Sequence, residues 1–316
     1  MRRTCILGID VGGTKTAVVL GDDTGRIHDR AEFATAPQRG LEAALHDICT
    51  HAEQLRQRAV QQSRAPQVAS VSIGGPLDIE RGIVLSPPNL AGWDRVPLRS
   101  ILEERLGLRC FVEHDGNAGA LAEWYFGAAR GARNIVFLTM GTGFGAGLIL
   151  DGRLYRGSCD MAGEVGHVRL SDEGPAAYGK AGSWEAFCSG TGIVRLAALR
   201  FPGRWVEGRN SVQELADLAR SGDRDARAVF AEVGKYLGRG LALLVDVLNP
   251  EVIVIGALAV RLGELVLRPA RDEMRREALE RATAAVQVVP AALGESIGDV
   301  GALCAAIAAM GGPPAQ

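Results

Sequence analysis

Two glycine-rich turns, each set between apolar runs, constrain the fold of this chain most. The first is Asp10-Val11-Gly12-Gly13-Thr14-Lys15-Thr16, with apolar residues at 5–9 before it and at 17–20 after it. The second is Gly141-Thr142-Gly143-Phe144-Gly145-Ala146-Gly147, between apolar stretches at 134–139 and 148–150. Each predicts a strand, a tight turn and a second strand. Glycines at the tip let backbone N–H groups come close to a ligand, since no Cβ stands in the way. Such a turn can cradle phosphate oxygens, and Asp10 adds a carboxylate suited to a metal-bound water. Taken singly, each is also an ordinary glycine hairpin. Two of them, with Thr at matching places, point to two similar halves facing a cleft, each offering a phosphate turn. The first is not a Walker loop, because the spacing differs and no helix follows it. The second does not open a helix in a βαβ unit, so a Rossmann NAD-binding enzyme is disfavoured.

A chain of 316 residues has room for two domains with substantial cores. Its formal net charge of −2 gives no general pull toward nucleic acid or anionic lipid. No apolar run reaches the roughly 18 residues of a membrane span. The first strand begins almost at once, without a signal-peptide hydrophobic region. Six cysteines without a CxxC pair read as the reduced thiols of a cytoplasmic protein.

Between the two turns the pattern alternates strand and helix. A third strand is expected at 26–33. Leu41, Leu45, Ile48, Ala52 and Leu55 form the stripe of an amphipathic helix. A buried strand at 67–73 ends at Gly74-Gly75-Pro76, and the proline-containing 86–93 is a loop. A helix at 97–106 and a strand at 109–113 follow. That strand ends at His114-Asp115-Gly116-Asn117, where a helical segment begins. Asp115 therefore sits at the carboxyl end of a strand, where ligand crevices of α/β sheets lie. It also sits at a helix N-terminus, which favours an ionised carboxylate and equally suits a plain capping residue. Beyond the second turn, Gly163-Glu164-Val165-Gly166-His167 sets an acid and an imidazole in a glycine-rich loop. Helices are expected at 184–201, 229–248 and 261–281, strands at 251–255 and 286–289, and a closing helix from Gly298 to Met310. The tail 311–316 is expected to be disordered.

In these motifs the chain resembles the ROK family of repressors, uncharacterised reading frames and sugar kinases. The resemblance runs from Cys5 to about Ala309 and rests on Asp10–Thr16, Gly74-Gly75-Pro76, Pro88-Asn89-Leu90 with Gly92-Trp93, Asp115 with Asn117, Gly141–Gly145, Gly163–His167, Glu185 with Ser189-Gly190, and 249–256. It implies the two-domain actin/hexokinase-type (ribonuclease H-like) α/β fold with a cleft between domains. The small N-terminal domain would comprise 1–115 plus about 299–316, and the large one 116–298. It implies an ATP-dependent kinase that phosphorylates a hexose hydroxyl with Mg²⁺, glucose first and N-acetylmannosamine, N-acetylglucosamine or another hexose behind it. Asp115 matches the catalytic base. Gly75, Asn89, His114, Glu164, His167 and Glu185 match the sugar-binding set. Asp10, Gly12, Gly13, Thr14, Lys15, Gly141, Thr142, Gly143, Gly190, Thr191, Gly256 and Ala257 match the nucleotide-binding set. A homodimer is expected.

The chain departs from the family in three places. After the Gly-Glu-x-Gly-His stretch most members carry zinc-binding cysteines; Ala176, Tyr178 and Ser183 stand there instead. A structural zinc takes about four N or S ligands, so no zinc is expected, and packing through Tyr178 and Trp184 would hold the loop. His114 replaces the Asn usual in kinases and occurs in some transcriptional regulators. Gly256-Ala257 replaces a glycine pair. A sugar-binding regulator without kinase activity is the alternative of a different class. The early first strand is expected to leave no room for its helix-turn-helix, and both nucleotide turns are kept.

Overall fold

The computed structural model describes residues 3–314, so positions 315 and 316 of the expected tail lie outside it. The chain divides into two compact units, one comprising 3–130, 154–162 and 295–314, the other 131–153 and 163–294. The 115–116 junction lies inside the first unit.

The first unit is built on β1 (Cys5–Val11), β2 (Lys15–Asp22), β3 (Ile27–Ala34), β4 (Val68–Ile73) and β7 (Arg109–His114), in the order β3-β2-β1-β4-β7. β1 and β2 form the expected hairpin, and β4 runs parallel to both β1 and β7. Two short strands, β5 (Leu77–Asp78) and β6 (Ile83–Val84), make a separate ribbon. The side-chain alternation of a strand decides what covers each face. Leu7, Ile9, Val18 and Leu20 share a core with Leu45, Ile48 and Leu55 of α1 (Leu41–Gln61) and Leu98 and Leu102 of α2 (Leu98–Leu106). Ile6 and Val19 point the other way, toward Ala302, Leu303, Ala306 and Ile307. Gly8 and Gly21 fall on this second face, where a Cβ would come within 2.9 and 2.5 Å of the Leu303 side chain. Glycine at these two strand positions is what lets a helix lie so close. A third helix of this unit, α3 (Asp115–Phe126), follows β7 without an intervening loop.

The second unit repeats the plan. Its strands are β8 (Ile135–Met140), β9 (Phe144–Leu150), β10 (Arg153–Tyr155), β13 (Val252–Ile255) and β14 (Gln287–Pro290), in the order β10-β9-β8-β13-β14. Again an antiparallel hairpin, β8–β9, continues into parallel strands, β8–β13–β14. β11 (Ala176–Ala177) and β12 (Lys180–Ala181) form a small hairpin. The helix expected at 184–201 is two: α4 (Trp184–Cys188) and α5 (Gly190–Arg200), parted at Ser189, whose extended backbone and hydroxyl cap α5 at the Gly192 N–H. α6 (Val212–Arg220) precedes α7 (Arg224–Leu248), which ends at Asn249 in the left-handed region. The charged helix expected at 261–281 is likewise interrupted. α8 (Leu258–Leu262) stops at Gly263 with φ 57°, α9 (Glu264–Glu277) follows, and α10 (Glu280–Ala285) is separate. α11 (Ile297–Ala309) returns to the first unit and supplies the helical face under β1. No helix among the described residues is long and apolar enough to cross a membrane.

Candidate functional site

In the first unit the parallel register sets three strand ends side by side. Asp10 pairs with Ser72, Val11 with Ile73, and Ile73 with His114. The first glycine turn, Gly74-Gly75 and Asp115 therefore rise from one carboxyl edge, where α/β sheets place their ligands. The turn is closed by the Gly12 N–H donating to Lys15 O at 3.1 Å. It is braced by Thr35, whose N–H donates to Thr14 O and whose hydroxyl donates to Gly12 O at 2.6 Å. At Gly13 a Cβ would lie 2.7 Å from that of Asn89, so the 86–93 loop is packed against the turn. Lys15 is exposed and ion-paired with Glu32 at 3.0 Å.

Asp10 carries an unfavourable charge. Burial, reinforced by the nearby Asp115 and Asp299 carboxylates, pushes its carboxyl up to about 6, while a Ser72 hydrogen bond and Lys15 oppose the rise. Gly298 lies against it, since a Cβ there would come 2.6 Å from Asp10 Oδ2.

Asp115 is the first residue of α3 and its side chain is 51% exposed. Its Oδ1 accepts the Gly116 N–H at 2.7 Å, which fixes the carboxylate at the helix N-terminus. The same N–H reaches His114 Nδ1 at 3.2 Å. An accepting Nδ1 leaves the proton of a neutral imidazole on Nε2. That edge of the ring faces Gly75, where a Cβ would sit 3.0 Å from Nε2. Beneath them Glu113, buried in the strand, receives hydrogen bonds from Asn117 and Arg156. Neither Glu113 nor Arg156 belongs to a sequence motif. An acid directly after the apolar run Cys110-Phe111-Val112 was the one signal that could have drawn attention to this pair.

In the second unit the other glycine turn is closed by the Gly141 N–H to Gly143 O at 3.0 Å. It is joined to the start of α5, where the Gly190 N–H donates to Gly141 O at 2.8 Å and the Thr191 hydroxyl reaches Thr142 O at 3.5 Å. Gly256 closes β13 by donating to Leu138 O, and Ala257 takes φ 49° ahead of α8. Gly190 is also near α8, since a Cβ there would lie 3.5 Å from Leu258 Cδ1. The expected nucleotide residues of this unit thus come together.

Glu185 links that turn to the Gly163–His167 loop. Its Oε2 accepts the Phe144 N–H at 3.0 Å. Burial lifts its carboxyl above the ordinary range and Glu164 adds to the rise, while that hydrogen bond, His167 and Arg195 draw it back. The loop itself packs on β9: the Ala146 N–H donates to Gly163 O at 2.7 Å, and a Cβ on Gly166 would lie 2.1 Å from Phe144 O. His167 is exposed and stacks on the Tyr178 ring, centroids 5.3 Å apart and 16° from parallel. Lys180 Nζ donates to His167 O. Tyr178 sits at the tip of the β11–β12 hairpin with φ 50°, beside Gly179 with φ 72°. Ser183 caps α4 at the Ala186 N–H, and Trp184 is fully buried against Phe144. Where the family's cysteines would stand, an aromatic stack, a lysine and a helix cap hold the loop. Among the described residues no cluster of three or more His, Cys, Asp or Glu could hold a metal ion.

The model of the ROK family matches residues 6–309. The chain is 32% identical over 314 residues to a glucokinase of Thermotoga maritima, covering 96% of this chain and 97% of that one. It is 30% identical over 276 residues to a xylose repressor of Caldicellulosiruptor bescii, covering 84% of this chain and 69% of the repressor. Among solved structures it superposes on a ROK hexokinase from Thermus thermophilus with a TM-score of 0.81 and 32% identity, covering 98% of this chain and 100% of that one. A ROK family glucokinase from Streptomyces griseus, solved with glucose and AMPPNP, gives a TM-score of 0.79 at 33% identity over 94% of this chain and 97% of that one. The chain therefore belongs to the ROK family and has its two-domain actin/hexokinase-type fold.

Proposed function

We infer that this ROK-family chain, an ATP-dependent sugar kinase, transfers the γ-phosphoryl group of ATP to the 6-hydroxyl of a hexose, glucose foremost. The observation that carries the reading is Asp115. It is a half-exposed carboxylate fixed at the junction of β7 and α3, on the strand edge that also bears the first glycine turn. In the inferred step Asp115 takes the hydroxyl proton as the sugar oxygen bonds to phosphorus, and the bond from phosphorus to the ADP oxygen breaks. Phosphoryl transfer asks a protein mainly for alignment and charge stabilisation. Backbone N–H groups at Gly13, Thr14, Thr142 and Gly143, in turns that the Gly12 and Gly141 N–H groups close, are suited to phosphate oxygens, with Lys15 beside the first turn. Gly190, Thr191, Gly256 and Ala257 are assigned to adenosine. Asn89, His114, Glu164, His167 and Glu185 are assigned to the sugar hydroxyls, and Gly75 keeps room beside His114.

The raised Asp10 carboxyl fits a cation, because added positive charge relieves its repulsion by Asp115 and Asp299, which Lys15 and the Arg30–Asp299 ion pair offset only in part. Asp10 would hold Mg²⁺ through water, as expected of an ion that keeps most of its hydration. When bound with ATP, Mg²⁺ supplies neutralisation of phosphate charge. No nucleic-acid or membrane partner is part of this reading. The free cysteines support a reducing cytoplasmic setting. A homodimer is proposed from the family. The exposed Leu243, Val247 and Leu279 of the second unit are consistent with it.

A panel of glucose, mannose, fructose, allose, N-acetylglucosamine and N-acetylmannosamine with MgATP, followed by coupled ADP release, tests the reading. Glucose is expected to give the highest kcat/KM. Preference for an N-acetyl sugar would reassign the substrate and keep the kinase. A second reading, a sugar-responsive regulator, is favoured by His114 and by the likeness to the xylose repressor. Sugar binding without turnover on any member of the panel would select it.

Tyr178→Ala gives a further expected result. Aromatic stacking contributes about 0.5–1.5 kcal/mol, and its loss frees His167. The KM for sugar rises roughly 2–10-fold, with kcat and the KM for ATP nearly unchanged. Steady-state kinetics at saturating ATP would show it.

A further inference from the structure

Below Asp115 lies a polar cluster that no motif accounts for, built from groups of the first unit alone. Glu113 is the last residue but one of β7, and its side chain is 2% exposed. A carboxylate at such depth must be compensated, or the protein is strongly destabilised. Here both of its oxygens accept hydrogen bonds. Oε1 accepts the His114 N–H at 3.0 Å and Asn117 Nδ2 at 2.9 Å. Oε2 accepts Arg156 Nε at 3.1 Å and Nη2 at 2.5 Å. His114 and Asn117 flank Asp115 in sequence, so two residues on either side of it are tied to one buried anion. The anion is in turn fixed by one arginine.

Arg156 reaches this place from far along the chain. It lies on 154–162, a stretch that belongs to the first unit although the residues on both sides of it belong to the second. The stretch is anchored a second time where Asp160 Oδ2 accepts the Ile79 N–H at 2.9 Å. Chain connectivity alone would not require a return to the first unit. An arginine held by its own segment and presenting two donors to one buried oxygen is a rigid fastening.

We propose that Arg156, acting through Glu113, is a positioning residue for phosphoryl transfer: it fixes the β7–α3 corner and so the direction in which Asp115 presents its carboxylate. The proposal rests on the reading of Asp115 as the base. Arg156 touches neither reacting group on this account, so its removal acts on geometry. A displacement of about 1 Å at a reacting group can cost about 10²-fold in rate.

The test measures kcat, both KM values and the melting temperature for the wild type, Arg156→Ala, Arg156→Lys, Asp115→Asn and the double variant Asp115→Asn/Arg156→Ala. Arg156→Ala is expected to lower kcat about 100-fold with both KM values within threefold of wild type. Arg156→Lys, which keeps the charge and one donor, is expected to recover about tenfold of that loss. It also keeps the test open if the alanine variant does not fold. In the Asp115→Asn background, removing Arg156 is expected to change kcat less than threefold, because the two act as one unit. A folded Arg156→Ala enzyme with wild-type kcat overturns the proposal. So does a loss that multiplies fully with that of Asp115→Asn, or one that follows the fraction unfolded while Arg156→Lys is no better. Failure of the base assignment itself looks different: Asp115→Asn would then retain turnover, whatever Arg156 does.

Discussion

Replacing Asp115 with Asn is expected to lower kcat by about 10²–10⁴, which is roughly 3–5 kcal/mol of barrier. The amide oxygen can still accept the Gly116 N–H, so the start of α3 keeps its geometry. What is lost is the ability to take a proton. The side chain is half exposed, so the fold gains little from its charge and the melting temperature should move by no more than a degree or two. Both KM values should stay within a few-fold of wild type. Unchanged turnover would remove Asp115 from the chemistry. A large fall in melting temperature would turn the residue into a structural cap.

Asp10→Asn separates stability from activity. The folded protein holds the Asp10 carboxyl at about 6, against an ordinary value of 3.8. Between those two pH values the folded state binds a proton that the unfolded chain has released. Stability therefore falls as pH rises through this window, and above it the ionised, poorly solvated carboxylate carries its full cost. A rise of about two units corresponds to about 3 kcal/mol. Asparagine removes this cost while keeping a hydrogen-bonding partner for Ser72. In the absence of nucleotide, Asp10→Asn should be more stable than wild type by up to about 3 kcal/mol at pH 7. The advantage should shrink to nothing near pH 4. Urea unfolding at intervals from pH 4 to pH 8 measures the difference directly. The same variant should bind MgATP less well, since the charge that makes the site costly is the charge that suits a cation. A variant that is no more stable at pH 7 than at pH 4, relative to wild type, would contradict the electrostatic account of this corner.

The strands and helices were largely legible because each followed a local rule. The hairpins at Asp10–Thr16 and Gly141–Gly147 announced themselves through glycines between apolar runs. The stripe from Leu41 to Leu55 is the buried face of α1. The repeated strand order of the two sheets was foreshadowed by the repeated turn. Helix breaks were harder to read. Ser189 parts α4 from α5 because its backbone is extended and the next N–H is committed to Gly141, a partner far away in sequence. The break at Gly263 was visible as a glycine but stood inside a strong amphipathic pattern.

The same distinction holds at the candidate site. Asp115 could be singled out by its place at a strand end and helix start, whereas Glu185, inside α4, was named only through the family resemblance. Arg156 could not, since nothing in its neighbourhood distinguishes it from a surface arginine; only the fold brings it to Glu113. Gly298 and Asp299 are similar. One gives Asp10 room and the other raises its carboxyl, both through the return of α11 to the first unit. Tyr178 was named for its place in a loop lacking cysteines, and its partner is His167.

The most direct measurement of the central claim is identification of the phosphorylated product by ³¹P NMR after incubating the protein with glucose and MgATP. The account predicts glucose 6-phosphate and ADP in equal amounts, with neither formed by the Asp115→Asn variant on the same timescale. ADP and free phosphate without a sugar phosphate would contradict it. So would the absence of any product under conditions where glucose raises the melting temperature of the protein.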